Sequence, residues 1–198
     1  MKATARLAAT TVLGLVLSAT TLTAHAQYVQ RAFTMQHRTL QNLGMRPTVK
    51  YGAFLSINEQ TGKAQLEDVC DEHESGGFWE IRPIGRERDY PAHVIINRGN
   101  TRHNGRYLGI DSQTGELKLD STKDPAENKW LIRYAGLYEG YHAYYFQNLA
   151  RSTGGFDMQF LAVDQKTGEV VLTKKPGPGA HWLKRNRPGL PLRMTAAD

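Results

Sequence analysis

A single cysteine, Cys70, in 198 residues excludes an internal disulfide framework and any zinc site built on several thiolates. Long apolar runs are missing beyond the first two dozen residues, which excludes a polytopic membrane protein. The motifs that announce common chemistries are missing too. There is no Gly-x-Ser-x-Gly, no His-Glu-x-x-His, no Walker loop and no Rossmann glycine pattern, so no catalytic role is expected. Acidic residues are the minority, 19 against 25 Lys and Arg. What remains, 40% hydrophobic and 22% charged, is the composition of a soluble globular protein, neither disordered nor fibrous. The length suits one domain, or one and a half, with a sizeable core.

The one apolar stretch reads as a secretory leader, residues 1–26. Lys2 and Arg6 precede an apolar run from Leu7 to Leu17, and Ala24-His25-Ala26 supplies a small-x-small cleavage site, leaving Gln27 as the first mature residue. Cleavage removes two basic residues and no acidic one, taking the formal net charge from +6 to +4. No cysteine follows the apolar run, so lipid anchoring is not expected. The expected destination is periplasmic or extracellular, with no integral membrane segment after cleavage. Cys70 is then a lone thiol, either buried and inert or paired between molecules. It opens the run Cys70-Asp-Glu-His-Glu74, whose acidic neighbours raise a thiol pKa, against the needs of a nucleophile. The same run reads as a solvated loop rather than a metal site, since no second ligand pair accompanies it. No metal and no cofactor are expected.

Self-comparison carries the main signal. Phe54-Leu-Ser-Ile-Asn58, Tyr107-Leu-Gly-Ile-Asp111 and Phe160-Leu-Ala-Val-Asp164 stand 53 residues apart, and each is followed by Thr-Gly and a further apolar alternation ending in Leu66, Leu119 or Leu172. A tryptophan follows each copy: Trp79, Trp130 and Trp182 are the three tryptophans of the chain. Each copy is preceded by a run ending in Asn42, Asn97 or Asn148. Alternating apolar residues, such as Leu108 and Ile110 and then Leu117 and Leu119, turn one face of a two-stranded ribbon inward. Asn58, Asp111 or Asp164 opens the turn through a side-chain bond to backbone N–H groups, and the glycine supplies a positive φ. Four strands per copy give about twelve strands in a closed all-β architecture with a pseudo-threefold axis.

Three such copies resemble the β-trefoil, over roughly Arg38 to Arg187. That leaves a leader (1–26), an N-terminal extension (27–37), the trefoil of three ~53-residue pseudo-repeats (38–187) and a tail (188–198). The tryptophan placement is similar to the ricin-type (ricin B-like) lectins, whose repeats carry Gln-x-Trp. Here the triplets are Gly77-Phe-Trp79, Asn128-Lys-Trp130 and Ala180-His-Trp182. The sugar-binding Asp of that family is replaced by Ser56, Gly109 and Ala162, and its paired cysteines are absent. The Tyr-Leu-Gly-Ile-Asp run looks equally like the fascin and fibroblast-growth-factor branches of the fold. The resemblance implies a fold shared by lectins, protease inhibitors, cytokines and actin bundlers, which selects none of them.

Several residue groups offer binding chemistry. Asp111 and Asp164 either serve their turns or stand at the mouth of a sugar pocket. Tyr134, Tyr138, Tyr141, Tyr144 and Tyr145 crowd the junction of the second and third copies, suited either to stacking on sugar faces or to cross-strand pairing. Lys174, Lys175, Lys184 and Arg185 belong to an acid-free stretch from Val170 to Ala197, and Arg98, Arg102, His103 and Arg106 to a second. Such clusters are a solvated face or the footprint of an anion. The leading expectation is a carbohydrate- or glycan-binding module, with an acidic polysaccharide as the fitting partner and nucleic acid not expected for an exported chain. The alternative is a protein-binding trefoil, such as a protease inhibitor or a toxin or adhesion subunit, working through Gly76-Gly77 or Pro176-Gly-Pro-Gly179.

Overall fold

The computed structural model describes residues 37–44 and 53–185, except 69, 71–75, 100, 121–127, 139 and 152. The expected leader, residues 27–36, the tail and the acidic run after Cys70 lie outside the described residues.

Among the described residues, twelve strands follow the repeat. The first copy forms β1 (His37–Asn42), β2 (Phe54–Ile57), β3 (Ala64–Glu67) and β4 (Trp79–Glu87); the second, β5 (Tyr90–Asn97), β6 (Tyr107–Ile110), β7 (Leu117–Asp120) and β8 (Trp130–Tyr138); the third, β9 (Tyr141–Asn148), β10 (Phe160–Val163), β11 (Val170–Thr173) and β12 (Trp182–Arg185). The outer strands of each copy close a six-stranded antiparallel barrel in the order β1, β4, β5, β8, β9, β12 and back to β1. The inner strands form three hairpins that cap one end, each joined to the preceding barrel strand, at Gln41 with Phe54, Ile96 with Tyr107 and Gln147 with Phe160. This is the β-trefoil.

The cap turns repeat in atomic detail. The Oδ1 of Asn58 accepts the N–H groups of Gln60 and Thr61 at 3.0 and 2.9 Å, that of Asp111 those of Gln113 and Thr114 at 3.0 Å, and that of Asp164 those of Lys166 and Thr167 at 2.8 and 2.9 Å. Gly62, Gly115 and Gly168 follow at φ of 74°, 74° and 76°, the left-handed region that strains any residue with a Cβ.

The core sits where barrel and cap meet. Trp79, Trp130 and Trp182 are wholly buried there, each contributing roughly 2–3 kcal/mol by burial. Each indole N–H also needs an acceptor, and finds one in its own copy: Leu55 O at 2.9 Å, Leu108 O at 2.8 Å and Leu161 O at 2.9 Å. The recurrent asparagines stand directly across from the tryptophans, Asn97 opposite Trp79, Asn148 opposite Trp130 and Asn42 opposite Trp182. Asn42 and Asn97 donate to the carbonyls of Gly179 and Gly76, pinning the loops that enter β12 and β4. Cys70 is buried against Phe54 and Phe78.

Candidate functional site

Two barrel hairpins outgrow the barrel at the end away from the cap. In β4–β5 and β8–β9 the register slips at Gly85 and at Gly136, and the bulge resets the alternation of faces. In β8–β9 the pairs Tyr134 with Tyr144 and Leu137 with His142 therefore share the face that continues into the core through Ile132 and Phe146. Tyr138, Tyr141 and Tyr145 occupy the outer face.

Both faces are aromatic. On the inner one, Tyr134 meets Tyr144 edge-on at 5.9 Å and leans on His142 at 5.6 Å, with its hydroxyl 3.2 Å from His142 Nδ1. The Lys184 ammonium lies 3.5 Å from the centre of the Tyr144 ring. On the outer face Tyr138 stacks on His181 at 5.1 Å. His181 Nδ1 is 3.1 Å from the Pro178 carbonyl, which can only accept, so Nδ1 donates there, and Nε2 lies 3.0 Å from the Tyr145 hydroxyl. Cross-strand pairing and exposure thus coexist: Tyr134 is 56% exposed, Leu137 66% and Tyr141 38%.

The other expected residues are dispersed. Asp111 has both carboxylate oxygens engaged, Oδ1 by its turn and Oδ2 by the Lys118 ammonium at 2.9 Å. Lys118 first, and then the turn N–H groups, hold it well below the usual carboxylate range. Asp164 is lowered chiefly by the N–H groups of Thr167 and Lys166. Both sit on cap hairpins, at the opposite end of the barrel from Tyr138 and Tyr141. Lys174 and Lys175 are exposed just after β11. Lys184 and Arg185, being adjacent in β12, point to opposite sides: Lys184 toward Tyr144, Arg185 toward Gln41, whose Oε1 accepts from Nη1 at 3.3 Å. Part of the second basic stretch is committed internally. Arg98 forms an ion pair with Glu80 at 2.7 Å, Arg102 donates to the Gln60 carbonyl, and His103 Nε2 is 2.8 Å from the Glu59 carbonyl. Burial pushes the Glu80 carboxyl up, but Arg98 and Arg82 outweigh it and leave it lowered.

Ser56, Gly109 and Ala162, where the ricin-type lectins place their sugar Asp, are all buried. Gly76 packs over Ser56, and the 3₁₀ turn Pro178–Ala180 covers Ala162. Gly76, Gly77 and Gly179, from the two loops considered for protein binding, are buried as well. On the threefold axis of the cap, a depression of about 640 Å³ is lined by Ala64, Leu66, Leu117, Phe156, Val170 and Leu172, beside the Lys63–Glu116 ion pair. Sequence reasoning missed this depression, the stacking role of His181 and the inward direction of Lys184. The last was visible in the repeat: Trp79-Glu-Ile81 and Trp130-Leu-Ile132 become Trp182-Leu-Lys184 in the third copy.

No family profile and no curated protein matches the chain. Solved structures do. A GlcNAcα1-4Gal-releasing endo-β-galactosidase from Clostridium perfringens matches with a TM-score of 0.51 at 19% identity, over 75% of this chain and 32% of that one. SeviL bound to asialo-GM1 saccharide matches with 0.51 at 12%, over 77% and 98%. The designed threefold-symmetric protein ThreeFoil matches with 0.50 at 16%, over 75% and 97%. The chain thus spans about a third of the endo-galactosidase and nearly all of the other two. In fold it is a β-trefoil.

Proposed function

We propose that the protein is an exported, non-catalytic carbohydrate-binding β-trefoil that engages an anionic glycan through its β8–β9 hairpin. The observation that carries this reading is the exposure of Tyr134 and Leu137 on the inner face, and of Tyr141 on the outer face, of one projecting hairpin. Tyrosine offers a rigid apolar face for a sugar ring and a hydroxyl for its substituents, at little entropic cost. The fold is shared with SeviL, solved with a saccharide, which supports carbohydrate as the ligand class. The anionic preference is supported by two features. Basic residues stand near this hairpin, and the lobe positions that hold a sugar carboxylate in ricin-type lectins carry buried Ser56, Gly109 and Ala162.

A glycan array run beside a protease-inhibition panel tests the reading. Acidic glycans are expected to bind, with affinity falling as salt approaches ~0.15 M, where the screening length is about 8 Å. The Tyr134→Ala/Tyr141→Ala variant should bind at least about fivefold more weakly, given about 0.5–1.5 kcal/mol per aromatic contact, with an unchanged unfolding midpoint. Inhibition of a protease with no glycan bound would overturn the proposal. Export is checked separately by the mature N-terminus, expected at Gln27.

A further inference from the structure

We propose that the end of the barrel opposite the hairpin cap is a binding site for one oxyanion (a sulfate, phosphate or carboxylate) held by Lys184, Arg38 and His93. The argument begins with the repeat. The second inward position of β4 and of β8 is Ile81 and Ile132, both packed against the core. In β12 the matching residue, two beyond Trp182, is Lys184, half-buried. The next inward layer is formed by the residues two before Leu40, Ile95 and Phe146, namely Arg38, His93 and Tyr144. Along the six barrel strands, the register places five ionisable residues other than tyrosine on the inner face: Arg38, Arg86, His93, His142 and Lys184. All are basic. Among the described residues no carboxylate forms an ion pair with Lys184, whose ammonium lies on the Tyr144 ring.

The local electrostatics agree. Burial pushes the Lys184 ammonium down, and the Arg38 charge adds to the effect. Burial also lowers His93, against the pull of the Trp130 carbonyl and with the repulsion of Lys184. Its Nδ1 is buried without a hydrogen-bond partner. A barrel that places a lysine where two sister repeats place isoleucine loses stability by desolvation and mutual repulsion. An oxyanion between these groups would reverse both losses, accepting from the ammonium and the guanidinium and, with Nδ1 protonated, from the imidazolium. Tyr134 and Tyr144 stand beside the cluster as walls for whatever carries the anion. That the carrier is a sugar rests on the carbohydrate reading above; the anion site itself does not.

The test uses sodium sulfate at low millimolar concentration, against sodium chloride of equal ionic strength, monitored by NMR of the His93 ring and by the unfolding midpoint. In the parent protein the His93 signals should move saturably and the midpoint should rise with sulfate alone. In Lys184→Ile, which restores the residue type of the sister repeats, the midpoint should be higher than the parent's without sulfate, and sulfate binding at least about tenfold weaker. Lys174→Ala/Lys175→Ala should bind sulfate like the parent. A parent that does not respond, or a Lys184→Ile variant that responds equally, would overturn the site. Sulfated and desulfated oligosaccharides separate this from the carbohydrate reading. Sulfate binding without any glycan binding keeps the anion site and removes the glycan; equal binding of both sugars to parent and Lys184→Ile does the reverse.

Discussion

Replacing Trp130 by Phe probes the threefold core directly. The indole N–H donates to the Leu108 carbonyl at 2.8 Å in a wholly buried setting. Phenylalanine leaves that carbonyl without its partner, a loss of about 1–3 kcal/mol, and the smaller ring opens a void costing about 1 kcal/mol more. The expected destabilisation is therefore about 2–4 kcal/mol, a large share of the ~5–15 kcal/mol by which a domain is stable. At about 2–4 °C per kcal/mol for a chain of this size, the midpoint should fall by roughly 5–15 °C. Trp79 and Trp182 make the same bond at 2.9 Å with the same burial, so Trp79→Phe and Trp182→Phe should cost the same to within about 1 kcal/mol. Urea unfolding followed by circular dichroism measures all three, with an unchanged denaturant slope and one transition. Losses that differ widely between the copies, or separate transitions, would show that they do not share one core.

Three further outcomes are expected. Leu119, buried, should lose about 2–5 kcal/mol on truncation to Ala, whereas Leu172, half-buried at the axial depression, should lose less than half as much in the same unfolding assay. Gly115→Ala should destabilise more than Gly62→Ala, since both sit at φ 74° but a Cβ at Gly115 would stand 2.5 Å from the Phe156 ring and one at Gly62 3.4 Å from His103; the difference is read from the two midpoints. The lowered carboxyl of Asp111 contributes stability that is full above the ordinary carboxylate range and lost as pH falls through it. Asp111→Asn, which keeps the turn acceptor as Asn58 does, should therefore flatten the stability profile below about pH 4 while leaving the ladder intact by circular dichroism.

The fold was legible because its determinants are local and repeated. A turn that needs an Asn or Asp acceptor and a left-handed glycine writes both residues into the chain three times. A buried indole writes Trp at the head of the same strand in each copy. The pairing of Trp with Asn was present as two separate periodicities; only the register shows that one residue type faces the other across the barrel. The site was harder to read because it depends on bulges and on long-range facing. The slip at Gly136 decides that Leu137 shares a face with Tyr134 while Tyr138 turns to His181. Charge runs misled for the same reason: Lys184 and Arg185 are neighbours in sequence and diverge in space, and Arg98 is matched by Glu80 across a strand pair.

Where three copies are held to one geometry, residues that agree report the fold, and residues that disagree are free to carry something else. Tryptophan, the strand-end asparagine and the turn glycine agree in all three copies. The layers away from the cap do not agree. Ile81 and Ile132 are answered by Lys184; Arg38 and His93 by Tyr144; Pro83 by Tyr134; Arg86 by Leu137. These departures gather on the inner faces of two projecting hairpins and the two strands between them, all at one end, and they replace apolar packing with cations and exposed rings. Cations drawn to one mouth beside tyrosines fit a single recognition surface, in which the rings meet the body of a ligand and the cations meet its charge.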